Sequence, residues 1–184
     1  NISVIRNAQG VRTHHIAVFS DLSQLKRTEQ KLDFLVHRDP LTELPNRVLF
    51  HELLFHAIQQ NEQNRTRFAL LFLDLVNFKM INESLGPSLG DKLLIEVANR
   101  LRELLPNVNA IARVGGDIFN IILEQNAHAL GPDLVAQQIF EAFNEPFNVD
   151  GHQVYSGVNI GIALYPDDGL DAESLQSHGD AALQ

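Results

Sequence analysis

Two carboxylates and a glycine pair dominate the chemistry this chain can offer. Asp74 follows the apolar run Phe68–Leu73, and Asp117 lies in the stretch Arg113-Val114-Gly115-Gly116-Asp117-Ile118-Phe119. An acid just past a buried strand stands at the edge of a sheet, where ligand sites gather. The second stretch reads as a strand, a tight glycine turn and another strand. Gly115-Gly116 supplies the positive φ angles of a two-residue hairpin and lets backbone and acid approach a ligand closely. If the two strands are neighbours, the carboxylates converge. Magnesium takes hard oxygen ligands, commonly one or two carboxylates plus phosphate oxygens, so a converged pair suits magnesium. Taken singly, each Asp reads more simply as a helix cap or turn residue, because short motifs specify function loosely.

A second pair, Asn82 and Asp91, flanks the segment Ser84–Gly90. Asn offers a donor and an acceptor and Asp accepts two hydrogens, which together complement the edge of guanine. The plainer reading places Asn82 near a helix end and Asp91 in the first turn of the next helix, where its charge suits the dipole. On local pattern alone the plainer reading is the stronger. The eight His show no ligand spacing. His51 and His56, five apart, do not share a helical face, and all eight read as surface or hairpin residues. No Ser/His/Asp arrangement is present.

The elements that must carry these residues follow from periodicity and punctuation. Residues 2–19 read as a hairpin around Asn7–Gly10. Asp21 or Ser23 caps a helix running to about His37, with Leu25, Thr28, Leu32 and Leu35 at alternating four- and three-residue spacings. That stripe suits a short parallel coiled coil, or equally a helix packed on its own domain. Asp39-Pro40 breaks the helix. Further helices are expected at Arg47–Asn61, Asn77–Leu85, Leu89–Leu105, Pro132–Phe143 and from Asp171 onward. Strands are expected at Phe68–Leu73 and on both sides of the Gly115-Gly116 turn. A second hairpin is expected, with Phe147–Val149 pairing a long strand from His152 to Tyr165 across Asp150-Gly151. This order predicts an α+β fold, an antiparallel-rich central sheet flanked by helices.

Composition bounds the rest. The chain has 184 residues, enough for one domain and an appendage, and 45% are apolar, enough for a sizeable core. The absence of Cys excludes disulfides, thiolate chemistry and Cys zinc sites. The run Ala69–Leu73 is far too short to span a bilayer, and no basic-then-apolar signal opens the chain. Asn1 is not a natural start, so an excised piece of a longer protein is expected. A net charge of -9 speaks against a nucleic-acid or membrane surface. It remains compatible with nucleoside triphosphates, whose charge magnesium masks.

Taken together, the motifs resemble a bacterial diguanylate cyclase (GGDEF) domain over about residues 37–184. Leu41-Thr42-Glu43-Leu44-Pro45-Asn46-Arg47 resembles the family's Leu-Thr-Gly-Leu-Pro-Asn-Arg, with Glu43 for Gly. Asp74-Leu75-Val76-Asn77-Phe78-Lys79-Met80-Ile81-Asn82 resembles Asp-x-Asp-x-Phe-Lys-x-x-Asn, with Val76 for the second Asp. Gly86–Asp91 resembles Gly-His-x-x-Gly-Asp, with Pro87 for His. Asn159–Ala163, Tyr165–Gly169 and Gly179–Leu183 resemble the family's late strand, turn and last helix. Residues 1–36 resemble the last strands of a PAS sensor domain and its exit helix, with Asp21-Leu22-Ser23 where such domains carry Asp-Ile-Thr.

The resemblance implies condensation of two GTP into cyclic di-GMP across a two-fold axis. It implies that Asp74 and Asp117 hold magnesium and form what remains of the catalytic pair. It further implies that Asn82 and Asp91 read guanine, and that Gly115, Gly116 and Lys79 belong to the substrate-binding set. Three departures change the expectation. The signature Glu, used for metal binding or for taking the proton of the attacking hydroxyl, is Ile118. The feedback motif Arg-x-x-Asp falls on Pro106 and Asn109. The family's phosphate-binding Lys would follow the last helix motif. We therefore expect a cytoplasmic bacterial module, or the cytoplasmic part of a membrane-anchored sensor. Synthesis should be impaired and GTP bound as a regulatory ligand. Homodimerisation through the N-terminal helix and a downstream EAL domain are also expected. The competing readings are an active or weakly active cyclase and a structural dimerisation unit without nucleotide.

Overall fold

The run Phe-Ala-Leu-Leu-Phe-Leu-Asp-Leu has no polar side chain before its seventh position, so it must be buried on both faces. The computed structural model shows how. It describes residues 2–6, 9–10, 12–17, 24, 32–108, 110–124 and 131–183, in two compact units, Asn1–Phe34 and Leu35–Gln184. In the first unit β1 (Ile2–Arg6) and β2 (Arg12–Ala17) form an antiparallel hairpin that sets Ile2 opposite Ala17. Residues 24 and 32–37 are helical. Asp21, Ser23, Leu25 and Thr28 of the expected helix lie outside the described residues, while Leu32 and Leu35 are exposed.

The second unit runs α1 (Arg47–Asn64), β3 (Phe68–Leu75), α2 (Phe78–Leu85), α3 (Pro87–Leu104), β4 (Ile111–Gly115), β5 (Ile118–Glu124), α4 (Pro132–Phe143), β6 (Phe147–Val149), β7 (His152–Val154), β8 (Val158–Tyr165) and α5 (Ala172–Ala182). The main sheet has the order β4-β5-β3-β8 with every pairing antiparallel. Side chains alternate across β3. Leu71, Leu73 and Leu75 join Leu93, Val97 and Leu101 of α3 and Val135 and Ile139 of α4 in one core layer. Leu70 and Phe72 join Phe50 and Leu54 of α1 and Leu175 of α5 in the other. The expected α+β sandwich is what forms.

Three expected details differ. Asp74 lies inside β3 rather than past its end, because pairing with both β5 and β8 extends the strand to Leu75. The expected strand from His152 to Tyr165 is two strands. β7 pairs with β6, whereas β8 crosses to pair with β3 along its whole length. Tyr155-Ser156-Gly157 makes the break, and Gly157 accepts a hydrogen bond from Val76 N at 2.9 Å. Finally, α3 begins at Pro87, whose fixed φ and missing N–H suit a first helical position.

Candidate functional site

The signature turn is held by a dense set of bonds. Its two central residues are Gly116 and Asp117, not Gly115 and Gly116, since Gly115 ends β4. A register shift between Arg113 and Gly115 absorbs one residue of β4 and moves the turn along. Only Gly116 needs the left-handed region, at φ 48°, and a positive φ at the first central position is the type II′ pattern. Arg113 locks this conformation. Its Nε and Nη2 donate to the Gly116 carbonyl at 2.9 and 2.7 Å, and its Nη1 donates to both Asp39 oxygens at 3.0 Å.

Asp39 also accepts from Thr42 N at 2.8 Å and Thr42 Oγ1 at 2.7 Å. Burial alone pushes the Asp39 carboxyl up. The bonds from Thr42 and Arg113, with the guanidinium charge, outweigh burial and hold it below the usual carboxylate range. Arg113 N donates to Pro45 O at 2.9 Å. Asn46 caps α1 through Val48 N and Leu49 N and donates its own amide to Val36 O at 2.8 Å. The segment from Val36 to Asn46 is thereby tied to the turn that carries Asp117.

The two carboxylates converge as expected. Asp74 pairs in register with Ile118, and Leu75 N donates to Asp117 O at 3.4 Å. The Asp74 carboxyl is raised above its usual value, first by burial and then by the negative charge of Asp117. On the other side Asp74 pairs with Asn159 of β8. Register partners share a face, so Ile118, Asp74 and Asn159 form a row across three strands. No group of three His, Cys, Asp or Glu that could hold a metal occurs among the described residues. Two repelling carboxylates suit a magnesium ion that takes its other ligands from phosphate oxygens and water.

The sequence matches a known family. Residues 36–184 match the diguanylate cyclase, GGDEF domain. The chain belongs to that family. MucR of Pseudomonas aeruginosa, a bifunctional diguanylate cyclase/cyclic di-GMP phosphodiesterase, is 39% identical over 182 residues, 99% of this chain and 26% of MucR. The signaling protein YkoW of Bacillus subtilis is 35% identical over 167 residues, 90% of this chain and 21% of YkoW. The chain thus spans about a quarter of the length of these curated relatives. The solved GGDEF domain of TpbB from Pseudomonas aeruginosa superposes with a TM-score of 0.73 at 37% identity, covering 80% of this chain and 86% of that one. A sensory box/GGDEF family protein from Caulobacter crescentus gives 0.70 at 35% identity, covering 80% and 95%. Residues 36–184 of the chain are thus a GGDEF domain.

The other GGDEF positions can now be placed. Asn82 lies in α2 and packs its carboxamide against Gly90 of α3, the residue before the exposed Asp91. Asp91 stands in the second turn of α3 rather than the first, because Pro87 starts that helix. The Asn82 Oδ1 is buried and has no hydrogen-bond partner among the described residues. Lys79 is at the surface, its side chain 90% exposed and 4.0 Å from Glu83. Gly115 and Gly116 are exposed at the turn. Ile118 is 38% exposed beside Asp74, an aliphatic group at the mouth of the site. Val76, in place of the second Asp, packs toward Gly157. Glu43 takes φ 59°, a left-handed conformation that glycine adopts without strain. Of the feedback positions, Asn109 lies outside the described residues.

Sequence reasoning missed Asp39 and Arg113. The signal was present, since Asp39, Thr42 and Arg113 are polar residues beside motif positions, but nothing local joins residues 74 apart in the chain.

Proposed function

We propose that this GGDEF domain binds GTP with magnesium as a regulatory ligand and synthesises little cyclic di-GMP. The observation that carries the reading is the pairing of Ile118 with Asp74. The position expected to hold a carboxylate beside the retained Asp74–Asp117 pair holds a side chain that neither ligates a metal nor takes a proton. Loss of a general base alone costs about 100- to 10,000-fold in rate. Asp74 and Asp117 would hold the magnesium, which neutralises triphosphate charge when bound. Asn82 and Asp91 face the guanine, the Gly115 and Gly116 backbone approaches the phosphates, and Lys79 adds a cation at the rim.

Residues 1–36 are the end of a PAS domain and its signalling helix in this reading, and residues 37–184 the GGDEF domain. The helix pairs with its copy in a homodimer, and an EAL domain follows in the longer protein. MucR, which carries both activities in one chain, supports that arrangement. The protein works in the bacterial cytoplasm or as the cytoplasmic part of a membrane-anchored sensor. Among the described residues no helix is long and apolar enough to cross a membrane.

A second reading, a weakly active cyclase, draws on the intact Arg113 clamp and the converged Asp74 and Asp117. Calorimetry with GTP and magnesium, run beside a chromatographic turnover assay, separates the two. Binding without product supports regulation, and product at the rate of an intact cyclase rejects it.

A further inference from the structure

We infer that Gly90 is a positioning residue that fixes the Asn82 carboxamide for nucleobase selection. The inference rests on the reading of Asn82 as a guanine contact. Gly90 is buried at the fourth position of α3 and has an ordinary negative φ. Its backbone conformation is therefore open to any residue, and a glycine inside a helix is less stable there than alanine. What the position requires is space. A Cβ on Gly90 would lie 1.7 Å from Asn82 Oδ1 and 2.8 Å from Asn82 Cγ. The carboxamide occupies the volume that any other residue would fill.

A second observation concerns the amide itself. A buried acceptor without a partner costs free energy, and Asn82 Oδ1 is buried without one among the described residues. The whole carboxamide lies against α3, with Oδ1 the atom nearest the Gly90 backbone. The plane of the group is set by the α2–α3 contact before any base arrives. Asp91, the next residue after Gly90, presents an exposed carboxylate from the same helix. A preorganised pair of this kind discriminates bases because a mismatched base leaves its polar groups unpaired.

The test compares GTP and ATP binding, each with magnesium, in the wild type, Gly90→Ala, Asn82→Ala and the double variant. The expected result is a GTP affinity about tenfold weaker in Gly90→Ala, the size of one lost hydrogen bond, with ATP affinity unchanged. In the Asn82→Ala background, where the Cβ has room, Gly90→Ala should change GTP affinity by less than about twofold. The Asn82 side-chain NH2 resonances, identified by their loss in Asn82→Ala, should shift in ligand-free Gly90→Ala.

A Gly90→Ala protein that keeps its GTP preference, while Asn82→Ala loses it, overturns the role of Gly90 alone. Absence of any GTP preference in the wild type overturns this inference together with the guanine reading. An undiminished effect of Gly90→Ala in the Asn82→Ala background shows that glycine acts elsewhere and also rejects it. Should Gly90→Ala fail to fold, a folded double variant confirms the conflict between the Cβ and Asn82, and an unfolded one overturns it.

Discussion

The site has two ends, and they are built in opposite ways. The signature turn is tied down by Arg113, Asp39, Thr42, Pro45 and the bulge in β4, with the polar groups of the Arg113 clamp paired. Yet the residue it presents next to Asp117 is Ile118, which has no chemistry to perform. The α2–α3 junction is the reverse. Its chemistry is intact in Asn82 and Asp91, while the Asn82 oxygen is left buried and unpaired. In the proposed function the turn keeps a self-satisfied scaffold around an aliphatic side chain, and the helix junction keeps the two side chains that would read a base. The difference argues for a module that still recognises its nucleotide and has stopped transforming it.

The largest effect expected from breaking this comparison is at the clamp. Arg113→Ala strands Asp39 at 17% side-chain exposure and frees the Gly116 carbonyl. Removing one partner of a largely buried ion pair costs about 3 kcal/mol, measurable as a lower urea midpoint at unchanged m-value. GTP affinity should fall with it, because Asp117 loses its fixed turn.

The next contrast is between two orphan amides. Asn120, 5% exposed in β5, also has a buried Oδ1 with no partner among the described residues, but it lies in the core rather than at the proposed base site. Replacing it with Val removes an unpaired group and suits a strand, so Asn120→Val should stabilise by about 1–2 kcal/mol and leave GTP affinity unchanged. Asn82→Ala should cost GTP affinity instead. Identical behaviour of the two would dissolve the distinction between a ligand-ready group and a structural one.

A smaller gain, about 1 kcal/mol, is expected for Glu43→Gly, which relieves the left-handed backbone at φ 59°. Thermal unfolding reads it, and nucleotide binding should not change.

The smallest effect is electrostatic. The folded-state carboxyl of Asp74 is raised above 3.8 by burial and Asp117, so ionised Asp74 weakens the metal-free fold. That penalty is complete above the raised value and fades as pH falls through it toward the unfolded value. Asp74→Asn should therefore raise the melting temperature of magnesium-free protein at neutral pH, with the advantage shrinking as the solution is acidified. Magnesium should stabilise the wild type and not Asp74→Asn.

Much of this was legible in the chain. The α+β class followed from apolar runs and turn residues, and the convergence of Asp74 and Asp117 followed once their strands were taken as neighbours. The division of residues 152–165 into two strands was not legible. Val154 and Val158 both fit a single extended pattern, and only pairing with β3 decides where the strand belongs. The shift of the turn to Gly116-Asp117 depends on a bulge that spacing does not encode. The Arg113–Asp39 clamp joins segments far apart in sequence, so it appears only when the sheet brings them together. Likewise Gly90 reads as a motif glycine until the position of Asn82 shows what it makes room for.

The account turns on Ile118, and one paired measurement addresses it most directly. Calorimetric titration with GTP and magnesium should be run on the wild type and on Ile118→Glu, with cyclic di-GMP quantified in the same samples. The account predicts saturable GTP binding in both proteins, with product formation absent or slight in the wild type and higher in Ile118→Glu. Wild-type turnover equal to that of an intact cyclase, or a wild type that binds no GTP at all, would contradict it.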